Sequence, residues 1–459
     1  MKKILAFLAV AIPFFFPEPI FAHSFGKLYN LPVPFWLYLY GGAAAILVSF
    51  FVIGYFFNKK SNKFSYRTKE LSRIGFFAFV IRLRFLTIAK VFSVLLFFLT
   101  ILTGLLGENS AYANFNMTFF WIIFVLGLTY VTAIIGNLYS FINPWKILTD
   151  RFGGKTEGKI PYPSRLGYYP ALFFYFLFVW LELVGKTSPF TLSVALILYT
   201  VINYFGVKIW GKESWFGYCE FFSVFFRLIG KMAPVEHRSG KLYVRPPFIG
   251  LLKEKAEHFS LLLFILFMLS STAFDGFKET APWVQFYFRH FRSLPYPVFQ
   301  TIGLLFSPVL FLGIYVVLLA CTKIIAKSSH TLNDLVLRFA FTLIPIALVY
   351  NIAHYYTLMF TEGPNILRLV SDPFGFGWNL FHTGNYTNSI ILGANFIWNS
   401  QVVFILFGHI VGVYLAHLVA LNIFHKRVVL SQFPMLILMV AYTMIGLWIL
   451  SQPITGGTL

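Results

Sequence analysis

From Leu335 the chain reads LVLRFAFTLIPIALVYNIAHYYTLM (335–359). A connection follows, then SDPFGFGWNLFHTGNY (371–386), and then QVVFILFGHIVGVYLAHLVALNIF (401–424). The first and last of these are apolar runs long enough to cross the ~30 Å hydrocarbon core of a bilayer as helices. The piece between them is polar, glycine-rich and aromatic, which makes the whole a helical hairpin. His354 stands near the end of the first run; His409 and His417 stand in the second. An ionisable side chain inside hydrocarbon is costly unless paired or hydrated, so such residues mark function by default.

The rest of the chain is of the same kind. It is 58% hydrophobic and only 11% charged, with a mean hydropathy of +0.76, and a soluble fold could not cover its surface with so few charges. Runs of about 20 apolar residues predict spans at 35–57, 86–106, 117–138, 168–185, 190–210, 259–274, 298–320, 335–359, 401–424 and 433–452, an all-α polytopic membrane protein of about ten transmembrane helices. Basic amphipathic stretches at 71–84 and 215–231 are expected to lie along the interface. The net charge of +20 follows the positive-inside rule rather than marking nucleic-acid binding. The five segments assigned to the cytoplasm hold 25 Lys and Arg and the outer segments six, which orients the chain in the inner membrane with both mature ends outside. Cys219 and Cys321 both fall on the cytoplasmic side, so no disulfide is expected.

Lys2 and Lys3, the apolar run Ile4 to Phe16 and the sequence Ile20-Phe21-Ala22 read as a signal peptide over residues 1–22. The remainder, 23–459, is one transmembrane domain. Cleavage after Ala22 would leave His23 at the amino terminus, either as an ordinary terminal residue or, through its α-amino group and imidazole, as a copper ligand.

The remaining candidates sit toward the outer side. His354 and His409 serve either as ligands of a shared metal or in interhelical hydrogen bonds. Glu182, Asp275 and Asp372 are candidate ligands or bases, against snorkelling for Glu182 and turn roles for the two aspartates. His382 is a loop histidine. His417, eight residues past His409, belongs to a second site, to a proton relay or to the framework. Imidazoles and carboxylates suit a divalent metal, zinc or copper. Polar residues from Asn395 to Gln401 suggest an interfacial start to the ninth span, which would bring His409 level with His354. Gly375 and Gly377 suggest a re-entrant lid over the shared site.

Several strings, among them PYPSRLGYYPAL, WFGYCEFFSVFFRLIGKMAP, LYVRPP, NIAHYY, SDPFGFGWNLF and GHIVGVYLAH, resemble a family of bacterial integral membrane proteins whose members often carry the label fenitrothion hydrolase. The resemblance runs through most of the chain. It implies cleavage of the aryl-phosphate ester of an organophosphate, a small apolar substrate; on the residues named above the attacking group would be a metal-bound water. No site residue is carried over with it. Two other readings fit the same residues: a protein that handles or transports copper or another metal, and a membrane assembly factor.

Overall fold

The computed structural model describes residues 34–56, 68–70, 85–152, 157–185, 187–238, 241–386, 389–425 and 427–452. The signal segment, His23 and the stretch 71–84 lie outside them. Ten helices are long and apolar enough to cross a membrane, and the chain is an all-α polytopic membrane protein. In order, they are α1 (Phe35–Phe56), α2 (Phe85–Leu106) and α3 (Phe115–Ile135). A short α4 (Pro144–Arg151) leads to α5 (Tyr169–Leu183) and α6 (Pro189–Trp210). Next come a second short helix, α7 (Phe221–Gly230), then α8 (Phe259–Lys278), the surface helix α9 (Ala281–His290) and α10 (Tyr296–Ala326). The chain continues with α11 (Leu332–Thr361), α12 (Asn365–Ser371), α13 (Ala394–Ile423) and α14 (Val428–Ser451). Alternation of direction places residues 371–386 at one end of the bundle and the basic connections at the other. At the basic end β1 (Lys69–Glu70), β2 (Val235–Arg238) and β3 (Lys241–Val244) form a small antiparallel sheet in the order β1-β3-β2.

The core lies around α8 and α11, whose apolar stretches are the most deeply buried of the ten spans. Helices such as α1, α2 and α10 expose broad apolar faces, including Val48, Phe92 and Val309, as lipid-facing helices do.

Residues 215–231 are not an interfacial helix. Tyr199, the eleventh of the 22 residues of α6, donates its hydroxyl to Glu220 at 2.8 Å, which sets Glu220 near mid-depth. From there α7 runs back to the basic end. Phe221, Phe222, Val224, Phe226, Leu228 and Ile229 are all buried. A helix with one Ser and one Arg in ten residues has no charged face to keep in water, so it is drawn into the bundle.

A second excursion meets it. The segment after α3, expected as a basic inner loop, turns back so that Trp145 donates to Thr200 Oγ1 at 2.9 Å, level with Tyr199. Asn143 caps α4 by accepting from Lys146 N at 3.0 Å, and its Nδ2 donates to Glu220 at 3.2 Å. Two half-helices thus start face to face at mid-depth, and an Asp150–Lys212 ion pair ties the foot of α4 to the segment that follows α6 at the basic end. Glu220 accepts from Phe222 N and Ser223 N at the start of α7. Arg245 bonds the carbonyls of Gly230, Lys231 and Ala233 at the other end. An acid at the start and a base at the finish complement the helix dipole.

Candidate functional site

The helices carry the sequence-predicted residues to different depths. Gln401 Nε2 donates to the carbonyl of Ala353 at 2.9 Å, so Gln401 lies level with His354. Because α13 is already helical at Ala394, His409 lies eight residues farther along, about 12 Å toward the basic end at 1.5 Å per residue. The expected shared site of His354 and His409 is therefore not formed, and the polar stretch 395–401 belongs to the helix. Among the described residues no group of three or more His, Cys, Asp or Glu is placed to hold a metal ion. His417, buried, bonds Gln432 Oε1 at 2.9 Å near the basic end.

The loop 371–386 is not a lid over these residues. The Asp372 carboxylate accepts from Phe376 N at 2.9 Å and Gly377 N at 2.7 Å, so it shapes the loop instead of serving chemistry. Gly375 and Gly377 take φ of 77° and 84°, values that glycine adopts without strain. The loop is pinned to the α2–α3 connection, where Glu108 N and Phe115 N donate to the carbonyls of Phe374 and Pro373. His382 is exposed.

What the fold does assemble is a cluster around Asp275. The sequence suggested that Asp275-Gly276 ends the sixth span in a turn; instead α8 continues to Lys278. A Cβ on residue 276 would come within 2.5 Å of Ile449 Cγ2 and 3.5 Å of His354 Cε1, so glycine lets α8 close onto α11 and α14. Asp275 is only 8% exposed. Its Oδ2 accepts from Tyr355 Oη at 2.6 Å and from His354 Nε2 at 2.9 Å, and its Oδ1 faces Lys278 Nζ at 3.4 Å. Lys278 also pairs with Glu279 at 2.6 Å. An ionised carboxylate only accepts, so His354 Nε2–H is the donor of this bond.

Glu182 stands across the cluster, within electrostatic reach of Asp275 and Lys278. It is exposed and borders a cavity of about 50 Å³ that Tyr355, Asn351, Ser271 and Thr129 also line. Asn351 Oδ1 is buried and has no partner among the described residues. The floor of the cavity is α7, through Phe221, Phe222, Phe225 and Phe226. The cavity therefore runs from Glu182 and Tyr355, the hydrogen-bond partner of Asp275, to the half-helix at mid-depth.

Comparison of the chain with protein-family models, with curated proteins and with solved structures returns no match.

Three carboxylates (Asp275, Glu182, Glu279) face one ammonium (Lys278) and one imidazole. Such a cluster favours an added positive charge. Asp275 contacts His354 and Lys278 directly, and Lys278 contacts Glu279. Of the residues singled out from sequence, the structure unites His354, Asp275 and Glu182. It leaves Asp372, His409 and His417 elsewhere. Lys278, Tyr355 and Asn351 join the site; the signal for Lys278 was the Asp-Gly-x-Lys spacing at 275–278, which puts it on one helical face with Asp275, and that for Asn351 and Tyr355 was their place beside His354 in NIAHYY.

Proposed function

We propose that this chain is a multi-pass protein of the bacterial inner membrane, with both mature ends outside, that takes up a proton from the outer side and passes it inward as part of a transport cycle. The basic end is the cytoplasmic side by the positive-inside rule, which puts Asp275 and Glu182 in the outer half. The observation that carries the reading is the position of Asp275. It is a nearly buried carboxylate near the end of a spanning helix, bonded to His354 and to Tyr355, and Tyr355 in turn lines a cavity that reaches α7 at mid-depth. Ionisable groups placed so, with irregular backbone at mid-membrane, are the hallmarks of transport pathways.

The hydrolytic reading draws on one observation, the Asp275–His354 pair, which orients an imidazole as a general base. Size stands against it. Pockets for drug-sized ligands occupy ~300–1,000 Å³, and this cavity of about 50 Å³ has room for a few waters. The metal-transport reading needs a third ligand, and His23, outside the described residues, is the candidate for it.

Proteoliposomes containing the purified protein and a trapped pH dye separate these readings. An acid step outside should acidify the lumen faster than in empty vesicles. The same preparation should neither turn over an aryl phosphotriester, with or without zinc, nor retain stoichiometric zinc or copper. Phosphotriester turnover without proton entry would replace the transport reading by the hydrolytic one.

A further inference from the structure

His409 is 2% exposed and Tyr350 is 4% exposed. They lie on α13 and α11, deeper than the Asp275 cluster. His409 Nδ1 lies 2.8 Å from the Ile405 carbonyl. A carbonyl only accepts, so Nδ1 carries the hydrogen and Nε2 of the neutral ring is a bare acceptor. That Nε2 has no partner among the described residues, and neither does the Tyr350 hydroxyl. An unmatched acceptor and an unmatched donor are therefore buried near each other. A Cβ on Gly446 would lie 3.2 Å from Tyr350 Cε2 and 3.8 Å from Ile405 Cδ1, so α11, α13 and α14 meet at this level. His409 is one helical turn beyond Ile405 on the same face. Gly408, beside His409, packs directly on Val349, the neighbour of Tyr350.

Leaving either atom dry would carry the desolvation penalty of a buried, unpaired polar group. A water molecule that accepts from the Tyr350 hydroxyl and donates to His409 Nε2 removes both penalties. We infer that His409 and Tyr350 form a second, buried proton station that takes a water molecule, between the Asp275 cluster and the basic end. Tyr350 stands one helical turn before His354 on α11, and His354 bonds Asp275, so this station lies next to the outer one. On the other side His417 lies eight residues, about 12 Å, farther along α13, bonded to Gln432. The hydration site stands on its own geometry; its part in proton passage rests on the transport reading.

Two readouts on the full-length protein keep these apart. The first is thermal stability in detergent of Tyr350→Phe, His409→Leu and the double variant. The Phe change deletes only a hydroxyl, so folding is not at risk. If both groups share a bonded water, Tyr350→Phe lowers the Tm by a few degrees, and in the His409→Leu background it adds little further loss. If Tyr350→Phe raises the Tm, or if the two effects simply add, the hydroxyl is a dry orphan and the station is overturned. The second readout is proton entry into proteoliposomes. His409→Leu should slow it at least tenfold, whereas His409→Gln, which keeps a polar end, should retain more. A coupled Tm effect with wild-type proton entry would keep the hydration site and exclude it from the path.

Discussion

The two half-helices depend on one carboxylate, and replacing it gives a stability change that can be worked out. In Glu220→Ala, Phe222 N, Ser223 N and the Tyr199 hydroxyl lose their acceptor, now 3.1, 2.8 and 2.8 Å away, and so does the buried Tyr139 hydroxyl at 3.4 Å. Asn143 Nδ2 keeps a second partner, Ser223 Oγ, at 3.2 Å. Four buried donors left bare cost about 1–3 kcal/mol each, roughly 4–12 kcal/mol together. Relief of the desolvation of the buried carboxylate offsets part of this, so a net loss of about 4 kcal/mol is expected. Glu220→Gln keeps one acceptor oxygen but turns an amide donor toward the remaining donors, and should lose about half as much. The assay is thermal unfolding in detergent at one fixed scan rate, because membrane proteins commonly unfold irreversibly. The expected order is wild type, then Gln, then Ala, with the Ala variant lower by on the order of 10 °C. An Ala variant as stable as wild type would refute the placement of Glu220 at the meeting point of α4 and α7.

Other outcomes follow from the same contacts. Gly276→Ala should separate α8 from α14, because its Cβ would fall 2.5 Å from Ile449 Cγ2; proton entry should drop severalfold with a lower Tm, and unchanged behaviour in both would contradict the close packing. Asp372→Ala should make 374–381 more sensitive to added protease, through loss of the bonds to Phe376 N and Gly377 N, yet leave proton entry near wild type. A reporter fused after Leu459 should be active only on the periplasmic side, and cytoplasmic activity would invert the assigned orientation.

Much of the fold was legible because hydrocarbon imposes a single length scale. All ten spans were readable from runs of about 20 apolar residues. What escaped were features that hydropathy averages away. Residues 215–231 are the length of an interfacial helix and carry basic residues, but Phe221 to Phe226 leave no polar face to meet water, a signal present in the sequence and outweighed by its charges. Asp275 was taken as the end of a span because hydropathy falls there; the helix continues because His354 and Tyr355, 79 and 80 residues away, supply its hydrogen bonds. No local pattern reports such a partner. His354 and His409 were paired on the assumption that α13 begins near Gln401. Seven residues more of helix at its start remove that coincidence of depth. The carboxylates and His354 were recognisable as residue types unusual in hydrocarbon, while their grouping required the packing of α5, α8 and α11.

The central claim is that Asp275 is the outer proton acceptor of a transport path. Its most direct test is the rate of dye-reported proton entry into proteoliposomes of Asp275→Asn beside wild type. The Asn side chain keeps the size and can still accept from Tyr355, so the Tm should shift little. Proton entry should fall to that of empty vesicles. A variant that is as stable as wild type and admits protons at the wild-type rate would contradict the account.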